Sequence, residues 1–148
     1  MRTLTFAFSL LVVLLALPFS AYAADQSLVH AILITASKEK APADRRLAPY
    51  EATLQRNLPE SSFRLAGEGK ASVAGKGNRA SIDLAGGHRV ELEGGQKDSD
   101  GIQIKVRWMH GRTVVMNNAF TFQPGVPIVL GQRSSDDGDV PIVILIAR

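Results

Sequence analysis

The sequence predicts a mainly β domain, an antiparallel β-sandwich or flattened barrel with one short helix, at about residues 48–58, packed on it. Two segments, 27–35 and 140–147, are apolar at successive positions, which is typical of strands covered on both faces. The segments between them alternate apolar and charged residues, as strands with one wet face do. These three features together favour two layers of sheet with a helix covering one of them.

Residues 1–23 have the pattern of a secretory signal peptide. Arg2 supplies a positive charge, an apolar stretch of 12 residues follows at Phe6–Leu17, and Ala21-Tyr22-Ala23 fits the small-x-small cleavage site. The stretch is shorter than the roughly 20 residues that span a bilayer, so cleavage is favoured over anchoring. We therefore expect one globular domain at 24–148, periplasmic or secreted, with no membrane span.

One apolar stripe predicts the helix. Four residues recur at spacings of three and four: Leu47, Tyr50, Leu54 and Leu58. Pro49 fits the first helical position and Pro59 follows the last turn. We expect the stripe to cover the outer face of the two doubly apolar strands.

The loop length of the first hairpin in the alternating segments follows from which residues must lie on the same face of the sheet. A three-residue loop at 85–87 brings apolar residues together on one face and places Asp83 opposite Arg89 on the other. A polar loop at 94–101, symmetric about Ser99, continues the pattern of opposite charges across strands. Such a face is typical of a solvated, self-neutralising surface, whereas a phosphate-binding face carries clustered cations.

The second hairpin is predicted to have a three-residue loop at 110–112, which places Trp108 opposite Val114. Trp108 then lies on the same face of its strand as the alternate apolar residues, and we expect it in the core. The C-terminal strand is expected in the middle of a sheet because both its faces are apolar. The alternative is an edge strand that adds to another protein's sheet.

Composition excludes several classes of site. The chain has no cysteine, which excludes disulfides, thiolate zinc sites and cysteine nucleophiles. Without Arg2 there are 16 Lys and Arg against 14 Asp and Glu, a net charge of +2, too small for a dedicated nucleic-acid binder. The glycines, Gly67 and Gly69 among them, lack the spacing of a phosphate-binding loop and are interpreted as turns and bulges. Since no catalytic motif is present, we expect neither an enzyme nor a cofactor.

A charged segment before the helix is the candidate partner-binding surface. Arg45, Arg46 and Tyr50 combine the residue types that are enriched at protein interfaces. A structural role is the equal alternative, in which Arg45 or Arg46 pairs with Asp44 and fixes the start of the helix.

A weaker candidate is a pair of histidines at the ends of neighbouring strands. The Ser99-centred register places His88 opposite His110, where two imidazoles could share a metal ion. A catalytic zinc needs three protein ligands, and no third is evident, so no metal site is assigned. Two histidines at the rim of the domain is the favoured interpretation.

The order VHAILITAS, DRRLAPYEATLQRNLP and then a glycine-punctuated β region ending in PGVPIVLG and PIVILIAR resembles a group of small uncharacterised exported proteins of Gram-negative bacteria. The resemblance implies export and a single domain, and it carries no active-site residues across.

Three hypotheses for function follow. The first is a non-enzymatic exported module that binds another exported or envelope protein. The alternative is a small-ligand or metal-binding domain, with a hydrolase as one variant, at the strand ends near His88 and His110. The third is a structural subunit that polymerises through its terminal strands.

Cleavage after Ala23 is directly testable. When the full chain is expressed in a Gram-negative host, the intact mass of the protein from the periplasmic fraction should correspond to a chain beginning at Ala24. An Ala21→Arg, Ala23→Arg variant should stay uncleaved. A wild-type mass that includes residues 1–23 would contradict the signal-peptide assignment.

Overall fold

The structure, a computed structural model, describes residues 26–132 and 138–148 and is mainly β, as predicted. The strands of these residues are β1 (Gln26–Ser37), β2 (Ser62–Ala74), β3 (Arg79–Asp83), β4 (His88–Asp98), β5 (Gly101–His110), β6 (Thr113–Phe122), β7 (Ile128–Gly131) and β8 (Val140–Ala147). They form two four-stranded sheets with the orders β2-β1-β8-β7 and β3-β4-β5-β6, and every pairing is antiparallel. We call these sheet 1 and sheet 2.

The first and last strands lie next to each other in the middle of sheet 1. β1 pairs with β8 from Val29 opposite Ala147 to Ala36 opposite Val140. β2 and β7 flank this pair. The C-terminal strand is therefore central, as its two apolar faces predict, and does not form a sheet edge.

The central strands of sheet 1, β1 and β8, are buried on both faces along most of their paired length. On one face, Val29, Ala31 and Leu33 join Val143 and other residues of both sheets in the larger core cluster. On the other face, alternate residues of β1 and β8 pack with Leu47 and Leu54 in a second cluster. The helix thus covers the face that sheet 2 leaves open, and the predicted layer order is confirmed.

The helix begins later than predicted. A 3-10 turn occupies Arg45–Tyr50, and the α-helix, α1, spans Glu51–Asn57. Leu58 is extended because a following proline disfavours the helical conformation. The stripe nevertheless works as expected, since Leu47 and Leu54 are buried and Tyr50 and Leu58 pack beside them.

Two of the predicted registers are confirmed. Asp83 lies opposite Arg89 in the β3–β4 pair, and His88 lies opposite His110 in the β4–β5 pair. Trp108 is completely buried, as its parity predicts.

The predicted β5–β6 register is wrong. His110 pairs with Thr113, which leaves a two-residue turn in which Gly111 has a φ of 60°. A β-bulge then shifts the register between Trp108 and Met109, so Trp108 lies opposite Met116 and not Val114. The shorter turn alone would place Trp108 opposite a residue of the other face. The extra residue of the bulge corrects this, so that opposite residues again lie on the same face.

The predicted loop at 94–101 is mostly strand. β4 continues to Asp98 and β5 begins at Gly101, with a register shift between Gly94 and Lys97. The Asp98 carboxylate accepts the backbone N–H of Asp100 at 2.9 Å, and this local bond closes the short turn.

Gly67 and Gly69 lie inside β2. Gly67 lies next to the irregularity at which the β1–β2 register shifts, as the interpretation of bulges predicts, whereas Gly69 lies in the regular part of the pairing. Both face sheet 2, where a β-carbon at Gly69 would lie 2.5 Å from the Ile82 Cγ2 atom and one at Gly67 would lie 3.0 Å from Ala85. The missing side chains therefore let β2 approach β3 closely.

We expect Gly94→Ala to destabilise the domain by about 1–3 kcal/mol, the usual cost of overpacking. A β-carbon at this position would collide with the backbone carbonyl oxygen of Gly75, which cannot move as a side-chain end can. Urea unfolding gives the free energy of unfolding.

Gly131→Ala is the matched control, because its β-carbon would meet only Leu58 Cδ2 at 3.8 Å, an ordinary contact. Its stability should stay within about 1 kcal/mol of wild type. Equal stabilities of the two variants would contradict the close approach at Gly94.

Candidate functional site

The carboxylate of Asp44 fixes the 3-10 turn that precedes the helix. Its Oδ1 accepts the Arg46 backbone N–H at 3.1 Å and Arg46 Nε at 3.0 Å. Its Oδ2 accepts the Arg46 guanidinium at 2.8 Å and the backbone N–H of Leu65 at 3.1 Å. The side-chain bonds from Arg46, followed by the Leu65 bond, hold the pKa of Asp44 well below its usual range. One ionised side chain thus ties the turn to β2.

The three candidate partner-binding residues have different environments. Arg46 donates to Asp44. Of the two arginines that the sequence offers for pairing with Asp44 at the start of the helix, Arg46 therefore has this structural role. Tyr50 is half-buried against the helix-side core. Arg45 is exposed. Of the three, Arg45 is therefore best placed to contact a partner.

Arg45 lies on the rim of a groove of about 760 Å³, which we call the Asp44 groove. Its walls come from the end of β1, the loop before the 3-10 turn, the start of β2 and the segment before β8. The lining residues are Thr35, Ser37, Glu39, Lys40, Ala41, Pro42, Ala43, Asp44, Arg45, Arg46, Ser62, Phe63, Arg64 and Asp139. The groove thus joins segments that are far apart in the sequence.

The loop that forms one wall of the groove is bonded at both ends. At its start, Ser62 Oγ donates to the Glu39 carbonyl at 2.7 Å, and the Ser61 N–H donates to the Ser37 carbonyl at 3.0 Å. At its end, Asp44 holds Arg46. The wall is therefore built before a partner arrives.

The remaining charges of the groove have mixed sign. Asp44 and Arg46 neutralise each other. The other charged residues of the lining are three cations, Lys40, Arg45 and Arg64, and two carboxylates, Glu39 and Asp139. Arg64 and Asp139 were missed from the sequence because neither the β1–β2 register nor the β1–β8 register was predicted. The structure places Arg64 opposite Thr35, which brings its side chain to the groove.

The two rim histidines are stacked. The rings of His88 and His110 lie 4.1 Å apart between centroids with planes 8° apart. Trp108 Nε1 donates to His88 Nδ1 at 3.1 Å, and His110 Nε2 lies 3.1 Å from the Gly86 carbonyl oxygen. The tryptophan bond was also missed, although Trp108, two residues before His110, is a diagonal neighbour of His88 on the same face.

These bonds fix the tautomers of the pair. An indole N–H can only donate, so neutral His88 carries its proton on Nε2. A carbonyl can only accept, so His110 carries its proton on Nε2. One lone pair, that of His110 Nδ1, then remains for a metal. No group of three or more metal-ligating side chains occurs in the described parts of the chain.

The outer face of sheet 2 carries the expected ladder of opposite charges. Arg89 Nε lies 2.7 Å from Asp83 Oδ1, and this hydrogen bond lowers the pKa of the Asp83 carboxyl. Arg107 and Glu91 are 3.7 Å apart, and Arg79 and Glu93 are 3.9 Å apart. These side chains are substantially exposed, so each pair is worth little. The face is interpreted as a solvated surface.

Comparison with known proteins adds no functional assignment. No protein-family model, no curated protein and no solved structure matches the chain. Among the helices within residues 26–132 and 138–148, none is long and apolar enough to cross a membrane.

We expect the domain to lose stability as the pH falls from about 7.5 towards 5. Burial, and then the charge of His110, lower the pKa of His88 below its usual value of 6.5. The unfolded chain therefore takes up this proton first, so the free energy of unfolding decreases as the pH falls through 6.5. Protonation at Nδ1 also removes the acceptor of the Trp108 bond. Urea unfolding at several pH values measures the decrease.

His88→Gln should reduce this decrease, while His30→Gln, which removes a histidine of sheet 1, should retain most of it. The carboxylates of Asp44 and Asp83 ordinarily titrate near 3.8, so they do not contribute above pH 5. Parallel pH profiles of wild type and His88→Gln would refute the assignment.

Proposed function

We propose that the chain is a non-enzymatic module of the bacterial cell envelope, periplasmic or secreted, that binds another exported protein in the Asp44 groove. The observation that carries this proposal is the set of four hydrogen bonds on the Asp44 carboxylate. They hold one wall of the groove and leave Arg45 exposed at its rim. The signal-peptide pattern of residues 1–23 supports the location.

A prebuilt groove favours binding because less conformational entropy is lost when a partner docks. A guanidinium that is not engaged in the fold can donate several hydrogen bonds to carboxylates or carbonyls. Arg45 supplies that group, whereas Arg46 is already held by Asp44. We therefore expect Arg45 to contribute more to binding than its neighbour, with Lys40 and Arg64 favouring a partner segment that carries carboxylates.

The alternative function, a ligand or metal site at His88 and His110, has weaker support. Each imidazole already uses one nitrogen within the fold. A groove of about 530 Å³ beside His88 includes Asp83 and Glu91, but Asp83 is engaged by Arg89 at 2.7 Å. We therefore favour the protein-binding function.

Arg45→Ala should reduce recovery of the partner about tenfold, since truncation of an arginine that anchors an interface costs about 1–2 kcal/mol or more. The measurement is a quantitative pull-down from envelope extract with the purified processed chain as bait. Arg112→Ala is the matched control, because Arg112 is also exposed but lies at the β5–β6 turn, outside the groove.

Asp44→Asn should also weaken recovery, because the neutral amide cannot replace the charge-assisted bonds to Arg46. Tyr50→Phe should have little effect. If Arg45→Ala and Arg112→Ala recover the same proteins in the same amounts, the groove is not the docking site.

A further inference from the structure

One sheet edge differs in chemistry from the other three. β2 carries Arg64, Glu68 and Lys70, β3 has five residues including Arg79 and Asp83, and β7 has four residues. β6 has ten residues, TVVMNNAFTF, with no charged residue and no proline. Edge strands are normally kept apart by charges, prolines or short length, and β6 has none of these. Its bulge is confined to one end.

The outer edge of β6 is open in the structure of residues 26–132 and 138–148. β6 pairs with β5 and is the last strand of sheet 2. Asn117, Asn118 and Ala119 are exposed in the middle of the strand, while Met116 and Phe120 are half-buried and pack on the core. A row of unpaired backbone groups therefore runs beside partly covered apolar side chains.

We propose that β6 pairs antiparallel with β6 of a second copy of this chain, so that the two four-stranded sheets join into one eight-stranded sheet across a two-fold axis. The sequence of the strand argues for this partner, because it is self-complementary in one register. A two-fold axis requires the same strand on both sides, which a self-complementary sequence provides.

The register follows from the faces of the residues. Directly opposite residues of an antiparallel pair lie on the same face, so the axis must pass through a residue. When it lies midway between the Asn118 residues of the two copies, their amides meet, and Met116 of each copy lies opposite Phe120 of the other. Amide–amide hydrogen bonds and sulfur–aromatic contacts are both favourable. An axis through Asn117 would oppose Met116 with Asn118, and one through Ala119 would oppose Asn118 with Phe120.

The charges of sheet 2 do not oppose this pairing. The cations beside the middle of β6 are Lys105, opposite Ala119, and Arg107, opposite Asn117. In the dimer, Arg107 of one copy and Lys105 of the other are separated by three strand spacings, about 14 Å. This exceeds the screening length of about 8 Å at physiological ionic strength, and Arg107 is neutralised by Glu91 in its own copy.

The size of the contact predicts a reversible dimer. Ten residues extend for about 33 Å, so a strip roughly 10 Å high buries on the order of 700 Å² in the two copies together. Interfaces below about 1,200 Å² are typical of weak, exchanging complexes. The dimer should therefore dissociate on dilution.

Sedimentation velocity of the purified processed chain tests the proposal. The weight-average mass should rise towards that of a dimer as the concentration is raised from about 5 to 500 µM. Asn118→Lys places two ammonium groups next to each other at the axis and should weaken association at least tenfold. Ser81→Lys, an exposed position on the opposite edge of sheet 2, should leave it unchanged. Matching thermal melting curves would show that both variants are folded.

A single introduced cysteine tests the axis itself, since the chain has none. Under mild oxidation Asn118→Cys should form a disulfide-linked dimer much faster than Ser81→Cys, because only the first brings two thiols within bonding distance. A concentration-independent monomer, or equal crosslinking of the two variants, overturns the proposal. Neither result bears on the Asp44 groove, whose residues lie outside β6.

Discussion

The architecture depends on the pairing of β1 with β8. Eight residue pairs join the two strands from Val29–Ala147 to Ala36–Val140. Five consecutive residues of β8, from Ile142 to Ile146, are at most 3 % exposed, which requires cover on both faces of the sheet. Sheet 2 supplies one cover and the helix supplies the other. Because the paired strands are more than 100 residues apart in sequence, their contact closes a long loop and is expected to form late in folding.

The need for a helix over the second face of β1 and β8 also explains where the candidate site lies. The apolar stripe of the helix can cover β1 and β8 only if the segment before it is held in place. Asp44 does this by joining the 3-10 turn to the backbone of Leu65 in β2. The same bonds commit Arg46 to the fold and leave Arg45 outside it. The groove is therefore a consequence of how the helix is attached, and its shape does not depend on a bound partner.

The alternation of apolar residues between the two faces of a strand accounts for the features of the fold that could be predicted from the sequence. It identified the central position of the terminal strands, the burial of Trp108 and the opposition of His88 to His110, because each of these depends only on which residues share a face. Parity cannot distinguish a three-residue loop from a two-residue turn with a bulge, since both keep Trp108 facing inwards. The β5–β6 register was mispredicted for this reason.

The groove was beyond the reach of the same argument. Arg45, Arg46 and Tyr50 could be singled out because they are neighbours in sequence, but their separate roles depend on which one Asp44 binds. Arg64 and Asp139 reach the groove through strand pairs whose registers no local pattern fixes. The pairing of β1 with β2 also contains an irregularity between Leu33 and Ile34, so even a correct starting register would have misplaced one end.

The two proposed surfaces lie on different sheets, and this separation has a consequence for binding. The Asp44 groove lies at β1 and β2 of sheet 1, whereas β6 is the far edge of sheet 2. A dimer formed through β6 leaves both grooves open and related by the two-fold axis. For a partner that is itself repeated with a spacing that matches that of the two grooves, the second contact forms at a high effective concentration. In that arrangement, weak binding at the grooves and weak pairing at β6 would reinforce each other. A partner bound to both grooves keeps the two copies of the chain together, and the β6 pairing keeps the two grooves close to each other.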